Sequence, residues 1–317
     1  MQLKQIIFSK WTRWTVSIML VGILLAISDV SQILDAVKAA RPGWLALAYL
    51  FAMGLTAYGA VKWWVLMPRN RNHPLTFIRV NFISNFVGIF FPGIVGIEAA
   101  RIAGITKSSN DLPAALASVL VDRMFGLFTL AIVVAIGGLA ASSVVPDAIQ
   151  IACLLAIAGM AILVFALMSK RSRAVLSVVL PNKINRALAK LYECLDLYRD
   201  RRLTLYFSLL LSLIFQLLRV MMVYLLARSL SLDVSFEYLL VVVPIASFAQ
   251  MIPISIYGVG IRESAMVTLL APVGVTTEAA IALSLLFLAI QIAGSLPGAI
   301  LFALGHRLPH AQTSRYK

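Results

Sequence analysis

Two stretches of the chain each place a proline, two glycines and a Glu/Arg pair within eleven residues of otherwise apolar sequence. The first reads Phe91-Pro92-Gly93-Ile94-Val95-Gly96-Ile97-Glu98-Ala99-Ala100-Arg101. The second reads Pro253-Ile254-Ser255-Ile256-Tyr257-Gly258-Val259-Gly260-Ile261-Arg262-Glu263. Proline and glycine interrupt a helix and free backbone N–H and C=O groups. In hydrocarbon such groups are tolerated only where they are buried in protein or line a wet cavity. A helix restarting at Gly96 or Gly260 presents free N–H groups and a positive dipole end, which suits an anion. Arg101 and Arg262 add full charges near those ends. Glu98 and Arg101 stand at i,i+3 and can pair on one helix face. Arg262 and Glu263 are adjacent and point apart, which predicts that at least one finds its partner elsewhere. The two breaks are expected to meet near the bilayer midplane around one shared anion site.

Further charges interrupt apolar runs. Asp122 and Arg123 lie inside Leu112–Ala140, with Arg123 about 16 Å along a helix from Leu112, near a bilayer midplane. A charge there costs at least about 2.5–3.5 kcal/mol. Two readings follow: a structural pair clamping neighbouring helices, or a headgroup or ion site inside a bundle. Arg219, within Leu203–Ala227, admits the same two. Lys62, near one end of its run, reads as an anchor snorkelling to the interface. Cys153 and Cys194 make no disulfide framework. His73, His306 and His310 show no metal-ligand spacing, so neither a catalytic metal nor a cofactor is expected.

The elements that must hold these residues are membrane helices. The 317 residues are 61% hydrophobic and 13% charged, with mean hydropathy +0.95. Soluble domains average about 45–50% apolar and about 25% charged residues, so a soluble enzyme, a disordered chain and a nucleic-acid binder are excluded. Apolar runs fall at Trp14–Ile27, Gly43–Met67, Thr76–Phe91, Gly93–Ile105, Leu112–Ala140, Ala148–Met168, Leu203–Ala227, Phe236–Ile252, Ile254–Pro272 and Ile281–Leu304. The first is expected to be a retained helix anchored by Trp11 and Trp14; a signal peptide ending near Ala26-Ile27-Ser28 is the alternative. The formal charge is +14. With the N-terminus inside, nineteen of the 27 Lys and Arg residues fall on the cytoplasmic side, three outside and five within apolar runs. The positive-inside rule favours that orientation, with both termini cytoplasmic. Residues 170–202 form a basic cytoplasmic linker. Within it, Ile184, Leu188, Leu191, Leu195 and Tyr198 predict an amphipathic helix on the leaflet, with Lys183, Arg186 and Lys190 toward lipid phosphates.

The runs split by Pro92-Gly93 and by Pro253 are each shorter than the ~20 residues a comfortable span needs. They read as re-entrant hairpins, one starting inside and one outside. The predicted fold is an all-α polytopic membrane protein forming one membrane domain over 1–317. It has six transmembrane helices plus two oppositely oriented broken re-entrant hairpins. Its inverted-repeat halves are 1–146 and 147–305. Paired broken segments in corresponding positions point to a transport site.

Three motifs also carry a resemblance. Pro92-Gly93-x-x-Gly96-x-Glu98-x-x-Arg101, then Val121-Asp122-Arg123-x-x-Gly126, then Pro253 with Gly258-x-Gly260-x-x-Glu263 resemble the lysylphosphatidylglycerol synthase transmembrane (flippase-like) family over roughly residues 10–305. The chain has Ile94-Val95 where a further glycine is common. The resemblance implies movement of lipid between leaflets. In multiple-peptide-resistance proteins the domain precedes an aminoacyl transferase and is implied to move aminoacylated lipid; other members sit beside glycosyltransferases acting on polyprenyl-phosphate carriers. This chain ends at Lys317, so it is expected to be a stand-alone member without the synthase half.

The leading expectation is therefore a lipid translocase, and not an enzyme, of the bacterial cytoplasmic membrane. Arg101, Arg123, Arg219 and Arg262 would meet phosphate. Glu98, Asp122 and Glu263 would hold those arginines, or meet a cationic headgroup or a coupling proton. Expected partners are membrane lipids with an anionic phosphate headgroup, alongside a lipid-modifying synthase or glycosyltransferase; an oligomer is compatible with this. The alternatives are a membrane-embedded glycosyltransferase, a secondary transporter of a soluble anion or drug, and a partner-binding subunit. Short outer loops bearing Asp29, Asp35, Asp147, Asp233 and Glu237, without a clustered metal motif, weigh against the transferase.

Overall fold

The computed structural model describes residues 29–68, 72–91, 95–141, 196–251 and 259–304, with the isolated positions 151, 159 and 193. These residues are helical, with no strand among them. In chain order the helices are α1 (Val30–Lys38), α2 (Pro42–Leu66), α3 (Pro74–Gly88), α4 (Val95–Ser109), α5 (Leu112–Ala140), α6 (Arg202–Ser229), α7 (Phe236–Met251), α8 (Ile261–Leu270) and α9 (Thr277–Ala303). The starts follow local chemistry. Asp29, Asp111 and Thr276 accept the first-turn backbone N–H groups of Ser31, Ala114 and Ala279, and prolines open α2 and α3, where no N–H partner is needed.

Four helices, α2, α5, α6 and α9, are long and apolar enough to cross a membrane. The chain is thus an integral membrane protein. The expected spans at Trp14–Ile27 and Ala148–Met168 lie outside the described residues, apart from Ile151 and Gly159.

Between the long helices lie two antiparallel hairpins. In the first, Ser108 at the end of α4 donates to Asn72 just before α3 (3.1 Å), Arg101 meets Asn81 midway (2.8 Å), and Ile97 fills the space beside Gly88 near the tip. In the second, the Tyr238 hydroxyl at the start of α7 donates to the Leu269 carbonyl at the end of α8 (2.6 Å). Helices α3 and α4 have 15 residues each, about 22 Å, and α8 has 10, about 15 Å. All fall short of a ~30 Å hydrocarbon core.

The order long, short, short, long thus occurs twice, and its packing repeats. Helix α2 packs on α3 as α6 packs on α7; α5 packs on α6 and α7 as α9 packs on α2 and α3. The corresponding helices α2 and α6 run antiparallel. Arg41 N–H bonds the Ser229 carbonyl at one end (2.9 Å), Tyr58 donates to Leu211 midway (3.1 Å), and Tyr198 donates to Leu66 at the other end (2.8 Å). Since α2 ends where α6 begins, the two hairpins enter the bundle from opposite ends. Glycines allow the tightest crossings. A methyl at Gly298 of α9 would run into the Phe82 backbone of α3, and one at Gly137 of α5 would lie 2.6 Å from Leu240 Cβ of α7.

Most of the basic linker 170–202 lies outside the described residues. Its Tyr198, expected on a lipid-facing stripe, is instead buried in protein against Leu66, Ala117 and Val121. The physical reason is the Leu66 carbonyl, an unpaired acceptor at the end of α2 that the Tyr198 hydroxyl satisfies.

Candidate functional site

Lys62 of α2 is buried, 6% exposed, which corrects the expectation of a snorkelling anchor. Its ammonium lies 2.8 Å from Asp122 of α5. The other Asp122 oxygen accepts from Arg101 of α4 at 3.3 Å. Two cations converge on one carboxylate because a lone charge could not be kept in this interior. Arg101 is fixed further: its Nε donates to Asn81 of α3 (2.8 Å), whose amide donates to the Thr56 carbonyl of α2 (2.8 Å). Its guanidinium also lies over the Trp63 ring, 4.9 Å from the centroid. One buried network therefore ties α2, α3, α4 and α5 together.

The adjacent residues Asp122 and Arg123 do not clamp each other. Arg123 pairs with Glu98 of α4, while Glu98 stands 3.8 Å from Arg101, an ion pair at i,i+3 without a hydrogen bond. Successive residues on a helix point about 100° apart, so Asp122 faces Lys62 and Arg101 while Arg123 faces Glu98.

Lys62, Arg101, Asp122 and Arg123 border a cavity of ≈ 230 Å³ enclosed by α2–α7 and α9. Its charged wall holds Lys62, Arg101, Asp122, Arg123 and Arg219. The Arg219 guanidinium lies 5.3 Å from the Phe215 ring centroid and the Lys62 ammonium 5.0 Å from it. Its neutral wall includes Thr56, Asn85, Gln216, Ser247, Gln250, Gln291 and Ser295. Asn81 and these amides were missed in the sequence reading. Their signal was available, since an uncharged amide within an apolar run needs a partner as a charge does.

The second break is organised differently. Gly260 has φ = 91°, open to glycine at little cost, and caps α8. Its N–H does not await a ligand: the Glu263 carboxylate returns one turn and accepts it at 2.6 Å. The other Glu263 oxygen accepts from Arg262 at 2.5 Å and from the Ser284 hydroxyl at 3.1 Å. Arg262 Nε donates to Ser284 at 2.9 Å, and its guanidinium lies 5.4 Å from the Phe287 ring centroid. Ser284 of α9 is the outside partner that was expected, but Arg262 and Glu263, expected to point apart, also bond each other, because Glu263 curls back to the helix start and brings its carboxylate within reach of the neighbouring guanidinium. Arg262, Glu263 and Gly260 do not line the cavity that Arg101, Asp122, Arg123 and Arg219 line. Of the two arginines expected at one shared site, Arg101 lines this cavity and Arg262 does not. Gly96 lies in the first turn of α4, which starts at Val95, and abuts Phe91. Pro92, Gly93, Pro253 and Gly258 lie outside the described residues. Among the described residues, no three His, Cys, Asp or Glu gather as a metal site.

Crossing-length helices with half-length helices packed between them define a polytopic membrane protein. The chain belongs to the family described as lysylphosphatidylglycerol synthase TM region, whose profile matches residues 11–298. No curated protein matches the chain closely enough to count as a relative.

Proposed function

We propose that this protein carries a phosphate-bearing lipid between leaflets, its headgroup held in the cavity between the two halves. The observation that carries the reading is the charge balance. Among the described residues, Lys62, Arg101 and Arg123 outnumber the carboxylates they meet, Asp122 and Glu98, by one at the cavity, an excess that suits a phosphate. Lys62 and Arg101, both buried, share the single carboxylate of Asp122, a pairing that a ligand phosphate would complete. In this reading the two short hairpins are re-entrant, the halves form an inverted repeat of six spans, and the termini face the cytoplasm of a bacterial inner membrane. A cysteine at position 143 should then label from outside and one at position 177 only from inside. A synthase or glycosyltransferase elsewhere in the cell would supply or consume the lipid. No catalytic step is assigned to the chain.

The test uses the full chain in vesicles holding phosphatidylglycerol with a dithionite-quenchable dye on its acyl chain. Transport should let dithionite reach dye from both leaflets, and Arg101→Met should slow it at least tenfold in folded protein. Inner-leaflet dye that stays protected, in vesicles proved to contain folded protein, would rule the function out.

A further inference from the structure

The neutral wall of the cavity is rich in acceptors. Gln216 is 4% exposed; its amide nitrogen donates to the Gly126 carbonyl at 3.2 Å, which leaves its oxygen, buried and without a hydrogen-bond partner among the described residues. The side-chain oxygen of Gln291, on α9, is likewise buried and unpartnered. Ser247 and Ser295 give their hydroxyl protons to the Val243 and Ile292 carbonyls of their own helices, so what each can offer the cavity is an acceptor lone pair. The cations Lys62, Arg101 and Arg123 line the same cavity, and the carboxylates beside them are already engaged: Asp122 by Lys62 and Arg101, Glu98 by Arg123.

We infer that the cargo headgroup is a phosphate joined to an uncharged polyol, a glycerol or a sugar, and not an aminoacylated headgroup. This rests on the reading of the cavity as a lipid-phosphate site. Buried acceptors without partners call for donors in the ligand. Hydroxyls and ammonium groups both donate. An ammonium, however, would enter a chamber already carrying excess positive charge, with no unengaged carboxylate among the described lining residues. Like charges brought together in a poorly hydrated interior repel strongly. Hydroxyls supply the donors without that cost. The division of labour then follows the repeat. The first half, with Arg219, holds the phosphate. The acceptors of α6, α7 and α9 read what is attached to it.

Purified full-length protein in detergent micelles, titrated with defined lipids by native mass spectrometry, tests this without requiring transport. The probes are phosphatidic acid, phosphatidylglycerol, a polyprenyl-phosphate sugar and lysyl-phosphatidylglycerol. Phosphatidylglycerol or the sugar phosphate should bind about five- to tenfold more tightly than phosphatidic acid, the scale of one or two hydrogen bonds, and lysyl-phosphatidylglycerol should bind more weakly than phosphatidylglycerol. Which of the two polyol lipids leads identifies glycerol or sugar. Gln291→Met should abolish the preference while phosphatidic acid binds as before, which also certifies the fold. Gln216→Met should act alike, although it also removes the bond to Gly126. Lysyl-phosphatidylglycerol binding as tightly as phosphatidylglycerol, or a preference untouched by Gln291→Met, would overturn the inference and leave the phosphate site standing. Failure of phosphatidic acid itself to bind would overturn both. Selective binding without movement of dye in the vesicle assay would remove translocation alone.

Discussion

Arg101 of the first hairpin and Arg262 of the second occupy corresponding helices, yet one belongs to an open network and the other to a closed one. Arg262, Glu263 and Ser284 satisfy one another and the Gly260 N–H within a single turn and one neighbouring helix. Around Arg101 the partners come from α2, α3 and α5, and cations remain in excess beside a cavity. The cause is helix phase. Glu263 stands three residues after Gly260 and reaches back to cap its own helix. Glu98 and Arg101 lie further along α4 and meet its neighbours instead. Similar residues thus give a stopper at one break and a binding wall at the other.

The largest expected effect is that of Asp122→Asn. It leaves Lys62 and Arg101 buried without their shared counter-charge, and breaking a buried ion pair typically costs about 3–5 kcal/mol. Thermal unfolding in detergent should show a collapse of stability; an unchanged midpoint would mean that the network is not what joins α2, α4 and α5. Arg262→Met should cost somewhat less, about 3 kcal/mol, because Glu263 keeps the Gly260 N–H and Ser284. In the molecules that fold, binding of phosphatidylglycerol should be unchanged. An equal loss of binding in Arg262→Met and Arg101→Met would erase the distinction between stopper and wall.

The smallest effects separate crossings from cavity. Gly298→Ala forces a methyl against the Phe82 backbone and should destabilise by about 1–3 kcal/mol. Gly126→Ala meets nothing within 4 Å and should be neutral or stabilising by up to about 1 kcal/mol, as helix propensity favours. Equal melting midpoints for the two variants would show that the α3–α9 crossing is looser than it is drawn here.

Much of the architecture was legible in the residues. Long apolar runs marked the four described crossing helices, because hydrocarbon requires a fully paired backbone and about 20 apolar residues per span. Prolines and glycines marked the two half-length breaks. Asp122, Arg123, Arg101 and Arg219 stood out because buried charge is costly. The amides were less visible, since Gln216 or Gln291 is remarkable only once its oxygen is known to lack a partner.

What the sequence determined by itself was membrane class, element order and the residues that must find partners, since those follow from local composition and the energetics of transfer into lipid. Pairing was decided only by the tertiary structure. Lys62 looked like an anchor and is a buried partner of Asp122; Asp122 and Arg123 each join neighbouring helices, but through different partners; Arg262 and Glu263 find the expected outside partner in Ser284, yet also bond each other. A charge in a low-dielectric interior pairs with whatever opposite charge the packing brings within a few ångströms, and that choice depends on helix phase and on which helices cross.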